Sequence, residues 1–400
     1  MVIRRLLTIL WIIFVGDSGL AVTAEEFPFE VSELEQREVY HSPQSPGFTS
    51  WVGAWTMPDK SLMICFTQAT GPIEGRRRAP PEVQHQLSWP PGGLAGYDMT
   101  GLEMRNVHLR SYDEGESRKQ VSADRFETCM NGITGEAQTA LNDGTILRGV
   151  WGYYLPYDPD LPKTGYLERS SDRSRTWGEP EVLLDSAKFS AWPKRIRVLS
   201  DGRLIVLGGV AHVPANSRTR TEYNGLFEPL LLVSDDDGKT WNGPIPVISE
   251  AYRGNWGGEE FDAAELPGGD LLCIFRRMNP EGGGEVRWQG RLKKSGETWT
   301  PDEPGPAPFP HSGHPDLLAT AEGAILHVAT SGVHATVDAG DTWHELDVPG
   351  TAYYPRSIQS ATGRIFVFGH VGGDDPYGQR DQSIVMSSFR LEQRDRSPAD

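Results

Sequence analysis

A short hairpin signal recurs six times along the chain: an apolar strand, a tight polar turn that usually ends in glycine, and a second apolar strand. It reads MPDKSLMICF (57–66), LNDGTILRGV (141–150), LSDGRLIVLG (199–208), LPGGDLLCIF (266–275), TAEGAILHVA (320–329) and SATGRIFVFG (360–369). Asp-Gly and Gly-Gly between β-rich runs mark hairpins, because such turns need a backbone conformation with positive φ. Aligned on the turn, Lys60, Gly144, Gly202, Gly269, Gly323 and Gly363 are separated by 84, 58, 67, 54 and 40 residues. A repeat of this size in an all-β chain predicts the blades of a β-propeller, six in number.

A second pattern interleaves with the first. Ser/Thr-x-Asp-x-Gly-x-x-Trp is intact in SDDDGKTW (234–241) and TVDAGDTW (336–343) and nearly so in SSDRSRTW (170–177), where Ser174 replaces glycine. SYDEGESR (111–118) lacks the Trp, and LKKSGETW (292–299) keeps only Gly296 and Trp299. As a turn the pattern makes sense: Asp and Ser bond nearby amides, Gly takes a conformation that a Cβ resists, and Trp anchors the loop. These octapeptides, each following one of the first five hairpins, resemble the Asp-boxes of the sialidase (neuraminidase) superfamily, over roughly residues 48–392. The resemblance implies an all-β, six-bladed propeller with Asp-box repeats.

The N-terminus has the form of a secretory leader: Arg4 and Arg5, an apolar run from Leu6 to Val15, then small residues ending at Ala24. The expected organisation is a signal peptide over 1–24, one propeller domain over 25–392 and a disordered tail over 393–400. A secreted or periplasmic protein with no membrane attachment after cleavage follows, the apolar run being short for a membrane span. With 45 Gly, 30 Pro and 12 Trp, the composition suits many short strands joined by turns. The net charge of −17 argues against nucleic acid and anionic membranes as partners. The three cysteines (Cys65, Cys129, Cys273) are too few for a disulfide framework and too scattered for a metal site, and no cofactor is expected. A propeller closes when its two ends share a blade, so residues 27–42 are expected to lend a strand to blade six. Blade one carries a basic, Pro-rich insertion, Arg76–Pro91, and blade two a long loop, Gly152–Lys163; such loops rim one face and carry specificity.

Radial sheets bring the start of each first strand and the end of each second strand to one mouth of the central axis. Nine residues before the turns stand Trp51, Gly135, Pro193, Glu260, His314 and Tyr354; seven after stand Thr67, Trp151, Gly209, Arg276, Thr330 and His370. Glu136, Arg195 and Arg197 are near neighbours. The segments EEFDAAELPGGDLLCIFRR (259–277) and AYYPRSIQSATGRIFVFG (352–369) resemble the sialidase glutamate and tyrosine segments. That resemblance implies Tyr354 as nucleophile, Glu260 as the base that activates it, and Arg276 as one of three arginines gripping a substrate carboxylate. A phenol needs such a base, its ordinary pKa being near 10. The family's first arginine is replaced by Trp51, and its third is missing near His334, so Arg195, Arg197 or the Arg76–Arg78 run are candidate substitutes. Asp98, in the loop after the first hairpin, is the candidate general acid; Trp51, Trp151, His314 and His370 complete the expected sugar-binding set. The implied activity is an exported glycosidase cleaving a terminal acidic sugar from a sialoglycoconjugate. Two alternatives stand beside it: a propeller glycosidase acting on another glycan, and a propeller that binds carbohydrate without catalysis.

Overall fold

A computed structural model of the chain describes residues 27–44, 47–71, 103–126, 134–150, 164–212, 214, 228–252, 260–279, 281–310, 313–349, 353–371 and 382–394. These residues form six antiparallel sheets, each a meander of four strands in order, with a short extra strand, Gly305–Pro306, on the fourth. The innermost strands follow one another around a closed ring: Gly47–Thr56, Gln138–Ala140, Ser190–Val198, Phe261–Glu265, Asp316–Ala319 and Tyr353–Gln359, the third and fourth joined by Arg195 and Arg197 to Asp262 and the last returning to the first. The structure is the expected six-bladed propeller. Blade six takes its outer strand from the N-terminal end of the described chain, Phe29–His41 pairing antiparallel with Ser383–Gln393.

The hairpin turns behave as their chemistry predicts. Gly144, Gly202, Gly269, Gly323 and Gly363 have φ between 86° and 92°, and Lys60 alone takes the same region, at 69°, with a side chain. The second strands are buried over most of their length, and Leu62–Thr70 and Leu204–Ala211 at every position. They read as unbroken apolar runs because neighbouring blades cover both of their faces. Each interblade face holds its own apolar cluster. Leu207, Leu231, Phe261 and Phe275 pack blades three and four, and Val52, Phe66, Phe368 and Ile384 pack blades six and one.

The octapeptide turns join the third strands to the fourth, at the end of the blade where the hairpin turns lie, since Ser234 pairs with Leu204 just past Gly202. In blades one, two, three and five the same bonds recur. The amides of Gly115, Ser174, Gly238 and Gly340 donate to the hydroxyls of Ser111, Ser170, Ser234 and Thr336 at 2.8–3.0 Å. Asp113, Asp172, Asp236 and Asp338 each accept the amide four residues on, at 2.8–2.9 Å. Blade one therefore keeps the turn without its Trp: Arg118 takes that place, its guanidinium 5.6 Å from the Phe368 ring of blade six. Blade four instead closes tightly through Gly296, and Trp299 is buried with its indole N–H donating to the Gly269 carbonyl at 2.8 Å. Trp241 and Trp343 are half-buried, packed against the junctions with blades two and four.

Candidate active site at the axial mouth

Backbone register assembles the site. In blade four the Arg276 amide donates to the Glu260 carbonyl at 2.9 Å, and Arg276 in turn pairs across the ladder with Arg287. Glu260, Arg276 and Arg287 thus form one row across three strands. In blade six the ladder breaks between Tyr353 and Arg356, and Tyr354 sits at φ 49° within the break. Such a bulge re-aims a side chain, and a non-glycine residue holds positive φ only when its surroundings enforce it. Here the phenol is turned inward, and its O–H donates to Glu260 Oε1 at 2.9 Å. The two residues are 94 positions apart and come from blades that do not touch in sequence order, with His314 of blade five between them.

Arg276 donates from Nη1 to Glu260 Oε2 at 2.5 Å and from Nη2 to Glu285 Oε1. Burial alone would raise the Glu260 carboxyl, but the charge of Arg276 outweighs it and holds the group at about 2. Tyr354 is pushed the other way, well above the ordinary phenol value, by burial first and by the Glu260 charge second. At rest the carboxylate is ionised and the phenol holds the proton. Around the pair, His370 lies parallel to Tyr354 at 6.0 Å, and the Tyr353 ring meets it edge-on at 4.7 Å. Burial holds His314 and His370 neutral, His370 down to about 3.

The remaining expected residues divide. Arg195 and Arg197, expected to bind substrate, are instead engaged one layer deeper. Arg195 bonds Asp316 at 2.5 Å, and Arg197 bonds Asp262 through Nε at 2.9 Å and again through Nη2. Asp316 also accepts from the Ser357 amide at 2.7 Å, so the cluster links blades three to six. Trp51 is 1 % exposed, at φ 54° in the bulge of blade one, and offers no open ring face for a sugar. His314 and His370 are likewise buried, beneath the mouth rather than on its rim. His314 bonds the Pro315 carbonyl through Nδ1 at 2.7 Å, and His370 faces the Ser50 hydroxyl at 3.4 Å. Asp98, Trp151 and the Arg76–Arg78 run lie outside the described residues.

The structure gives partners to Glu136, which the count had placed near the mouth, and adds Lys194, Arg356 and Arg287, which it had not singled out. Glu136 accepts from Arg356 at 2.8 Å and lies 3.4 Å from the Lys194 ammonium, all three buried. Arg287, also buried, donates to the Gly313 carbonyl at 2.8 Å. Its place opposite Arg276 could have been counted back from the tight turn ending at Gly284. Outside this row a cavity of about 350 Å³ opens beside Glu285, walled by Asn279, Glu281, Trp288 and Phe309. Among the described residues no group of His, Cys, Asp and Glu is arranged to hold a metal ion.

No protein-family model matches the chain, and no curated protein matches it in sequence. Solved structures do match in fold. A protein of unknown function from Dyadobacter fermentans aligns with 90% of this chain and 98% of its own, at 17% identity and a TM-score of 0.61. The α-L-arabinofuranosidase Arb93A of Fusarium graminearum aligns over 90% and 97%, at 14% identity and a TM-score of 0.55. The sialidase NanB of Streptococcus pneumoniae aligns over 91% and 71%, at 10% identity and a TM-score of 0.54. The fold is that of a sialidase-like β-propeller, shared with glycosidases of more than one specificity.

Proposed function

We propose that the protein is a glycoside hydrolase in which Tyr354 and Glu260 form the nucleophilic unit. The hydrogen bond of 2.9 Å from the Tyr354 hydroxyl to the Glu260 carboxylate carries the reading. It joins a phenol to a carboxylate base across two blades. The fold shared with an arabinofuranosidase and a sialidase supports a glycan as substrate. In the first step the phenol oxygen bonds the anomeric carbon as the glycosidic C–O bond breaks, and the phenolic proton passes to Glu260. An acid protonates the departing oxygen; Asp98 is the candidate for that part. In the second step water attacks the same carbon, giving a proton to the now deprotonated acid, and the phenol leaves, recovering its own proton from Glu260, so that configuration is retained. Tyrosine in place of a carboxylate nucleophile lowers the repulsion felt by a substrate that carries its own negative charge. The finer expectation, an exo-α-sialidase acting on a terminal acidic sugar, requires Arg276 to release Glu285 or Glu260 and grip the sugar carboxylate.

The test is a pair of single variants and their double on whichever aryl glycoside is turned over. Tyr354→Phe keeps the ring and removes the attacking oxygen, and turnover is expected to fall by at least about a thousand-fold with folding intact. Glu260→Gln is expected to reproduce much of that loss, and the two losses are expected not to add, because both residues serve one step. Near-normal turnover in Tyr354→Phe rejects the mechanism.

A further inference from the structure

A substrate carboxylate needs a cation whose charge is still available, and among the described residues the basic side chains at the axis are already paired with carboxylates or buried. Arg276 reaches solvent, with its side chain 23% exposed, yet it is held between Glu260 and Glu285. Arg356 and Lys194 share Glu136 and are buried. Arg195 and Arg197 are balanced by Asp262 and Asp316 in the layer below. Arg287 is 2 % exposed, with Nη2 on a backbone carbonyl, so it presents no fork to a ligand. Taking Arg276 for a substrate carboxylate would strip a partner from the half-buried Glu285 or from the buried Glu260, and an uncompensated buried charge is costly.

The wall beside Arg276 makes the same point independently. The cavity of about 350 Å³ is lined by the carboxylates of Glu281 and Glu285, the amide of Asn279 and the ring of Trp288. Carboxylate and amide oxygens accept hydrogen bonds from sugar hydroxyls, and an aromatic face takes the apolar side of a sugar ring. Arg287 also lines the cavity and Arg277 stacks over the Trp288 ring at 4.0 Å, but both are buried, so an entering anion meets the two carboxylates first. The overall charge of −17 adds a field of the same sign.

We propose that the mouth takes a neutral sugar, a pentose or hexose unit bearing no carboxylate, with the cavity beside Glu285 receiving part of the same glycan. The proposal rests on the glycosidase reading for the bond that is cleaved, but it concerns which sugar is held, and binding can be measured apart from turnover. In the binding arm, Tyr354→Phe is applied to an array of neutral, sialylated and uronate-containing glycans. Retention on neutral glycans, little changed by added salt, is the expected result. Preference for the sialylated or uronate glycans, or no retention on any neutral glycan, overturns the proposal. In the turnover arm, the wild-type protein is given neutral aryl pentosides and hexosides beside an aryl sialoside and an aryl glucuronide. A kcat/KM at least ten-fold higher for a neutral glycoside supports the proposal. Faster cleavage of an anionic one, lost in Tyr354→Phe, overturns it and leaves the nucleophilic role of Tyr354 standing. Neutral glycosides cleaved equally by wild type and Tyr354→Phe overturn that role and leave the specificity standing.

Discussion

Asp262→Asn separates a structural role for Arg195 and Arg197 from a substrate-binding one. The carboxylate is fully buried and accepts at both oxygens. Oδ1 takes Arg197 Nε and the Ala263 amide, each at 2.9 Å. Oδ2 takes the Leu317 amide at 2.8 Å, Arg197 Nη2, and Arg195 Nε at 3.5 Å. Burial opposes ionisation, but Arg197 and then Arg195 outweigh it and hold Asp262 charged. Asparagine keeps one acceptor, and its NH2 then confronts the Leu317 N–H and a guanidinium, donor against donor. An unsatisfied buried amide costs about 1–3 kcal/mol, and removing one partner of a buried ion pair costs about 3–5 kcal/mol in all. The expected outcome is therefore a loss of about 3–5 kcal/mol, read from urea unfolding followed by tryptophan fluorescence. If the two arginines instead served a ligand, the variant would release them. Stability would then change by less than about 1 kcal/mol, and affinity for anionic saccharides would rise. That pair of results refutes the assignment.

Three further outcomes follow from the geometry and charge of the site and its surroundings. Glu260, held at about 2, and Tyr354, held well above 10, leave the span from about pH 4 to 9 free of their titrations. An inflection of kcat/KM in that span is expected to belong to another group, the general acid, and a limb near pH 4.5 that moves in Arg276→Lys would contradict this. Burial also lowers His108 to about 4, His370 to about 3, and His314 and His327 below their ordinary value. The unfolded chain binds those protons first, near pH 6.5. Stability is thus expected to be complete above about pH 6.5 and to decline as pH falls toward 3, with Asp316, pushed up to about 6 by burial, and Glu168, also raised by burial, acting in the opposite sense; an unfolding midpoint flat from pH 7.5 to 4.5 would refute it. Finally, a Cβ on Gly135 would lie 1.5 Å from the Trp51 carbonyl oxygen, whereas one on Gly144, at φ 87°, meets nothing within 4 Å. Gly135→Ala is expected to cost at least the ~3 kcal/mol at the upper end of overpacking, and Gly144→Ala only about 1–2 kcal/mol of backbone strain; equal losses in thermal unfolding would show that blades one and two are not in backbone contact.

The sequence made the fold legible because each blade announces itself by a turn that only a few residues can make. Once the turns are aligned, strand geometry does the rest. Nine residues before a turn is a fixed distance along an extended chain, so Glu260 and Tyr354 could be placed at one mouth although they lie far apart in sequence. The same count, carried two residues further along each strand, reaches Asp262 and Asp316. Their presence beside Arg195 and Arg197 was therefore available in principle. What a linear sequence does not display is which charges cancel, since Arg195 meets Asp316 across 121 positions and Arg356 meets Glu136 across 220. The bulges hid the rest. An undistorted strand would put Tyr354 and Arg356 on the same face; in the folded chain, the break between Tyr353 and Arg356 sends the phenol to Glu260 and the guanidinium to Glu136. Trp51 was misplaced for the same reason, its bulge burying a ring that a regular strand would have shown to the mouth.

The axis is organised in two tiers with different duties. In the lower one, the carboxylates and guanidiniums of three blades satisfy one another out of solvent, which favours one arrangement of the ring over any slipped one. In the upper one, the same chemistry is used asymmetrically: Arg276 keeps Glu260 ionised, while Tyr354 retains a proton that has nowhere else to go until an electrophilic carbon arrives. A base held this low in pKa is weak, so the proton moves only as the new bond to oxygen forms and the phenol becomes acidic. Whatever loosens the grip of Arg276 strengthens the base, and Glu285 is the partner that competes for that grip. On the mechanism proposed above, the reactivity of the phenol is tied to a carboxylate that also walls the adjoining cavity, so that a sugar bound there would act on the charge balance of the phenol through a single guanidinium.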